Sequence, residues 1–133
     1  MSHSTRVLIV DEDQALAASL SRYLGRRGWR AEVSTSGQQA AAAGAGFAPD
    51  VVLFDHRLPD MDGFQALRLV RAMHPACGAV LMTDEAGEQV TAGIEQWQIR
   101  RILCKPFTLD TMESQLISAF CESIPRIAMP GRL

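Results

Sequence analysis

Lysine is almost absent from this chain. Lys105 is the only one among 133 residues, and arginine supplies the other 12 of the 13 basic side chains. Arginine therefore serves wherever a solvated cation is enough, and the one lysine asks for a reason. A compact ammonium on a flexible stem reaches a single oxygen as a point charge, which a planar guanidinium fork does not do. Lys105 stands in Cys104-Lys105-Pro106-Phe107, directly after the short apolar run Ile102-Leu103-Cys104.

Other absences narrow the function classes. Positive charge is not in excess: the formal net charge is -2, which removes the electrostatic case for nucleic acid binding. No apolar run approaches the roughly 18 residues that cross a membrane. Val7-Leu8-Ile9-Val10 is too short for a signal peptide and runs directly into acids. The three cysteines, Cys77, Cys104 and Cys121, form no metal-spaced pair and no even set. They are expected to be buried thiols in a reducing cytoplasm. A hydrophobic content of 47% and a charged content of 21% suit one soluble domain with a sizeable core.

Short apolar runs alternate with amphipathic stretches. Val7–Val10, Arg30–Ser34, Val51–Phe54, Ala79–Met82 and Ile99–Leu103 read as strands. Helices are expected at Gln14–Arg27, Gly37–Gly46, Phe64–Met73, Glu88–Gln96 and Thr108–Glu122, with Thr108 as an N-cap. The second helix looks weak because of its glycines. Residues 123–133 carry two prolines and no periodicity, and read as a C-terminal extension or the start of a linker.

Five buried strands alternating with five helices predict an α/β fold. Its centre is a doubly wound, five-stranded parallel sheet covered on both faces. In such sheets the functional crevice lies at the carboxyl ends of the strands. The strand ends here carry Asp11, Glu12 and Asp13, then Asp55, then Thr83, with Lys105 just past the last. Acids, a hydroxyl and the lone lysine are thus expected on one edge. Hard oxygen ligands on loops suit Mg²⁺ or Mn²⁺. An aspartate beside such a metal can attack a phosphoryl donor and become an acyl phosphate. Metal, ammonium and hydroxyl would then share the phosphoryl oxygens. Asp55, Lys105 and Thr83 fit those roles.

Leu8-Ile9-Val10-Asp11-Glu12-Asp13 is similar to the acidic cluster of bacterial two-component response regulator receiver domains, the CheY-like superfamily. Asp50-Val51-Val52-Leu53-Phe54-Asp55, with Leu58-Pro59-Asp60-Met61-Asp62-Gly63, resembles that family's phosphoacceptor strand and loop. Val80-Leu81-Met82-Thr83 and Lys105-Pro106-Phe107 resemble its switch hydroxyl and lysine motifs. The resemblance covers about residues 6 to 122 and implies a receiver domain over 1–122 with a flavodoxin-like (βα)5 fold. It implies Asp55 as phosphoacceptor and Thr83 and Lys105 as phosphoryl-binding groups. Asp11, Glu12, Asp55 and the backbone carbonyl of Arg57 would hold Mg²⁺. Asp13 would be peripheral, and the Lys105–Pro106 bond would be cis. The implied partners are a sensor histidine kinase or phosphotransfer protein and a downstream effector, with a homodimer left open. The chain would phosphorylate and dephosphorylate itself without turning over a metabolite.

Three positions depart from the family's pattern. Ile102 stands where an aromatic is usual, and a branched aliphatic filling the same pocket is expected. Asp84 follows Thr83 where a small residue is usual, and would repel an anionic donor unless it points to solvent. Arg57 and Glu85 are expected to pair across the pocket and shield the acyl phosphate. His56 is expected to face away from Asp55. Trp97, beside Arg100 and Arg101, reads as core or as a partner surface. Two alternatives remain: a degenerate receiver that binds its partner without phosphorylation, and a phosphohydrolase of the haloacid dehalogenase type. In the latter Asp11 would be the nucleophile and Asp13 the acid–base.

Overall fold

The computed structural model describes residues 4–84 and 87–123. Strands and helices alternate along it: β1 (Arg6–Val10), α1 (Gln14–Arg26), β2 (Arg30–Ser34), α2 (Gly37–Phe47), β3 (Val51–Asp55), α3 (Gly63–Met73), β4 (Gly78–Thr83), α4 (Glu88–Gln96), β5 (Arg101–Cys104) and α5 (Leu109–Ser123). The strands form one parallel sheet in the order β2-β1-β3-β4-β5. The predicted doubly wound α/β fold is therefore observed.

Side-chain alternation explains why both faces are covered. Along β1 and β3, Leu8, Val10, Val52 and Phe54 join one core, packed on Ala40 and Phe47 of α2, Phe64, Leu67 and Val70 of α3 and Val90 of α4. Val7, Ile9, Val51 and Leu53 join the other, packed on Leu20 and Leu24 of α1 and Met112 and Leu116 of α5. A strand apolar at every position can exist only between two such layers.

The helix boundaries follow from their caps. Asp13 accepts from Leu16 N and starts α1, Ser36 accepts from Gln39 N and starts α2, and Asp62 accepts from Phe64 N and starts α3. Thr108 Oγ1 accepts from Thr111 N, as its expected capping role requires. The glycine-rich α2 is held by more than its own sequence: Asp60 accepts from Gly37 N at 2.7 Å and Gln38 N at 2.9 Å, filling two orphan donors of its first turn.

One boundary needs correction. The fifth strand begins at Arg101, not at Ile99. Gln98 adopts a left-handed φ of 54°, and Ile99 N returns to Ile94 O at 3.0 Å. Ile99 is buried as part of the turn that closes α4, not as a strand residue.

Candidate functional site

Register brings the expected groups together. β1 and β3 are adjacent, with Val10 beside Phe54, so the residues that follow them, Asp11 and Asp55, emerge side by side. β4 pairs with β3 and ends at Thr83, whose carbonyl accepts from Lys105 N at 2.8 Å. The Lys105–Pro106 peptide bond is cis. Lys105 Nζ then donates to Asp55 Oδ2 at 2.7 Å and to Asp11 Oδ2 at 3.0 Å. Asp11, Asp55 and Thr83 are all buried. Burial works against the Lys105 ammonium, yet the hydrogen bonds and charges of Asp55 and Asp11 outweigh it and raise its pKa. Glu12 stands exposed at the rim.

The remaining oxygens of the pair bond to backbone. Asp11 Oδ1 accepts from Asp13 N at 2.9 Å, and Asp55 Oδ1 accepts from Arg57 N at 2.9 Å. Asp13, besides giving that N–H, is a helix cap, consistent with a place outside the central cluster. Two carboxylates thus share one ammonium, an oxygen-rich and still anionic setting. Among the described residues, no three His, Cys, Asp or Glu side chains are already grouped to hold a metal ion.

The loop after β3 is closed tightly. Arg57 and Asp62 form an antiparallel bridge, and Gly63 N donates to His56 O at 2.8 Å. A Cβ on Gly63 would lie 2.0 Å from Asp55 O and 2.8 Å from His56 Cα, so only glycine lets α3 start this close to the acid. A cavity of about 460 Å³ opens beside the loop, lined by Glu12, His56, Arg57, Met61 and Phe64 among others.

The model for the response regulator receiver domain matches residues 7–117 of this chain. The chain belongs to that family. The receiver is 34% identical over 116 residues to the transcriptional regulatory protein TrcR of Mycobacterium tuberculosis, which covers 84% of this chain and 43% of TrcR. It is 31% identical over 112 residues to the regulatory protein AtoC of Escherichia coli, covering 84% of this chain and 24% of AtoC. The chain therefore spans less than half the length of these curated relatives. Its fold matches the crystal structure of a CheY-like receiver domain protein from Methanospirillum hungatei with a TM-score of 0.83 at 22% identity. That match covers 90% of this chain and 96% of the other. The non-phosphorylated HemR receiver domain of Leptospira biflexa matches with a TM-score of 0.77 at 25% identity, covering 88% of this chain and 94% of the other.

Several expectations about the receiver's own residues are corrected. His56 does not face away: it is buried, with Nδ1 3.6 Å from Asp55 Oδ1. Ile102 does not fill an internal pocket. It remains 38% exposed, on an edge strand whose next residue, Leu103, takes the covered side. Only Cys77 is a buried thiol, pushed up to about 12 by burial. Cys104 lies on the outward side of β5 and Cys121 in the last turn of α5, and both are exposed. Trp97 is packed against the core.

Arg57 reaches across the mouth to Asp84. Arg57 Nη2 donates to Asp84 Oδ1 at 3.0 Å, with the two side chains 57% and 54% exposed. Glu85, the expected partner, lies outside the described residues. Two residues that the sequence reading missed hold the framework. Asp60 ties the loop to α2, and its carboxyl pKa is lowered by the N–H groups of Gly37 and Gln38. Glu113, buried on α5, accepts from Arg27 Nε at 2.9 Å and Trp29 Nε1 at 3.0 Å. Neither contact has a local signal in the sequence, since Asp60 lies 23 residues from Gly37 and Glu113 lies 84 residues from Trp29.

Among the described residues, no helix is long and apolar enough to cross a membrane.

Proposed function

We propose that this receiver takes a phosphoryl group from a phosphohistidine onto Asp55 and changes its affinity for an effector accordingly. The observation that carries this reading is the buried Asp55 carboxylate hydrogen-bonded to the chain's only lysine. An Asp55 oxygen attacks phosphorus, and the P–N bond breaks with its electron pair on the imidazole nitrogen. The product is an acyl phosphate. Lys105 follows the transferred group as a point charge on one oxygen, and the Thr83 hydroxyl donates to another. Hydrolysis later returns Asp55, so the chain handles its own phosphoryl group and turns over no metabolite.

The donor set suits Mg²⁺ or Mn²⁺: only oxygens, two carboxylates already converging, and a single cation between them. Asp11, Asp55, the Arg57 carbonyl and an inward turn of Glu12 would hold the ion. When bound, the ion would neutralise charge on the phosphoryl oxygens. Lys105 would loosen its hold on Asp11 as the ion enters.

The partners would be a sensor histidine kinase or phosphotransfer protein and a downstream effector, and the setting cytoplasmic. The face formed by α4, β5 and α5, where Ile102 is exposed, would be the surface for a homodimer. Against a phosphohydrolase weighs Asp13, whose Oδ1 accepts from Leu16 N as a helix cap and is poorly free for acid–base work. The exposed Ile102 keeps a phosphorylation-independent binding module as the second reading.

Borohydride reduction of the acyl phosphate followed by peptide mapping tests the assignment. Conversion of Asp55 to homoserine is expected. Conversion of Asp11 would favour the phosphohydrolase, and no conversion at either would favour the phosphorylation-independent module.

A further inference from the structure

Both edges of the sheet carry charge, and at the amino edge Asp50 accepts from Arg6 N at 2.8 Å. The carboxyl edge holds the acids described above. At the opposite edge, β1, β2 and β5 each open on an arginine: Arg6, Arg30 and Arg101. A cavity of about 340 Å³ lies there, between the end of α3, the start of β4, the turn before β5 and the end of α5. Two guanidinium groups line it, Arg71 and Arg100.

Neither has a carboxylate partner within hydrogen-bonding range among the described residues. Arg71 is half-buried and gives its Nε to Cys77 O at 3.2 Å. That bond uses one of a guanidinium's five donors. Burial lowers the Arg71 pKa, the mark of a cation short of compensation. The cavity's one carboxylate, Glu122, is hydrogen-bonded to Arg101, which reaches it through Nε at 3.3 Å and through a second, shorter contact, and it feels the Arg100 charge without a hydrogen bond to it. The carbonyls at the ends of α3, α4 and α5 explain why cations gather at this edge. Each helix end supplies only about half a charge, and those carbonyls also face water.

We propose that this cavity is an oxyanion site, separate from the acidic edge, that takes a small phosphate-bearing or dicarboxylate ligand. Arg71 grips one face of the anion as a fork and Arg100 closes on it from the turn, with the Gln98 side chain on the same wall. Planar forks match the spacing of phosphate and carboxylate oxygens, whereas chloride offers a fork nothing to orient.

The test is a heteronuclear NMR titration of the full chain with inorganic phosphate, up to about 50 mM, in buffer without divalent cations. Saturable shifts are expected at the Gly78, Gln98 and Arg100 amides and at Arg71 Nε–H. The Asp11 and Thr83 amides should stay in place, which separates this site from phosphate entering the acidic one. Sodium chloride at matched ionic strength should not reproduce the shifts. Arg100→Gln, an exposed substitution that leaves the core alone, should weaken binding about fivefold, and Arg71→Lys should weaken it further by removing the fork. No saturable shift, an equal response to chloride, or unchanged affinity in Arg100→Gln would overturn the proposal.

Discussion

Lys105 Nζ lies 2.7 Å from Asp55 Oδ2 and 3.0 Å from Asp11 Oδ2, so one ammonium spans two strand ends. It bridges two buried carboxylates and offsets their mutual repulsion, and a divalent cation binding the same pair would compete with its charge. Lys105→Met should therefore have opposite effects on two measurements. Mg²⁺ binding, read by calorimetry, should tighten by up to about tenfold, because a competing positive charge is gone. Phosphoryl uptake should slow by about tenfold or more, because the transferred group loses its ammonium partner. Mg²⁺ binding weakened along with uptake would show that Lys105 merely keeps the site folded.

The Arg57–Asp84 pair sits at the mouth, and both side chains are more than half exposed. It contributes little to stability, about 0–1 kcal/mol. Its effect should appear in rates with an anionic donor such as acetyl phosphate. Asp84→Ala removes a carboxylate from the mouth and should speed uptake by about threefold. Arg57→Ala leaves Asp84 unneutralised and should slow it by a similar factor. The double variant should return close to the parent rate, and all differences should shrink in high salt. Equal rates in all four proteins would show that the pair plays no part at the mouth.

Asp60 supplies a pH dependence whose sign is fixed. Its folded-state pKa is lowered by two backbone N–H groups. The stability it contributes is present above its unfolded value and is lost as pH falls through the folded one. Asp60→Asn removes that contribution. The variant should be less stable than the parent at about pH 6, and the gap should narrow steadily toward about pH 2. Urea denaturation at several pH values reads this directly. A gap that stays constant or widens on acidification would exclude a role for the charged carboxylate.

Glycine substitutions should separate a backbone obstruction from open space. At Gly63, a Cβ would meet Asp55 O and His56 Cα, atoms that cannot rotate away. Gly63→Ala should cost about 2 kcal/mol or more and displace the end of β3 at Asp55. Gly25, within α1, has nothing within 4 Å of such a Cβ. Gly25→Ala should stabilise by about 0.5–1 kcal/mol through better helix propensity. Thermal unfolding of the two variants gives the comparison.

Much of this was legible in the sequence because it rests on local periodicity. Uniformly apolar strands such as Val51–Phe54 require cover on both faces, and that requirement alone produced the doubly wound sheet. The meeting of Asp11, Asp55 and Lys105 followed from the rule that such sheets work at their carboxyl edge. What was missed depends on contacts far apart in the chain. Asp60 is separated by 23 residues from Gly37, whose N–H it binds, and no pattern within the loop announces that bond. Arg57 had several acids within reach in sequence, and its bond to Asp84 depends on side-chain geometry. His56 was misjudged because strand alternation was carried one residue past Asp55, where the loop has already turned. The false start of the last strand came from Ile99, whose burial serves the closing turn of α4.

The measurement that bears most directly on the central claim is intact mass after incubation with acetyl phosphate, with and without Mg²⁺, on the parent and on Asp55→Asn. The expected result is one phosphoryl adduct on the parent, dependent on Mg²⁺ and labile to hydroxylamine, and none on Asp55→Asn. An adduct of equal size on Asp55→Asn, or none on the parent with Mg²⁺ and a phosphohistidine donor, would contradict it.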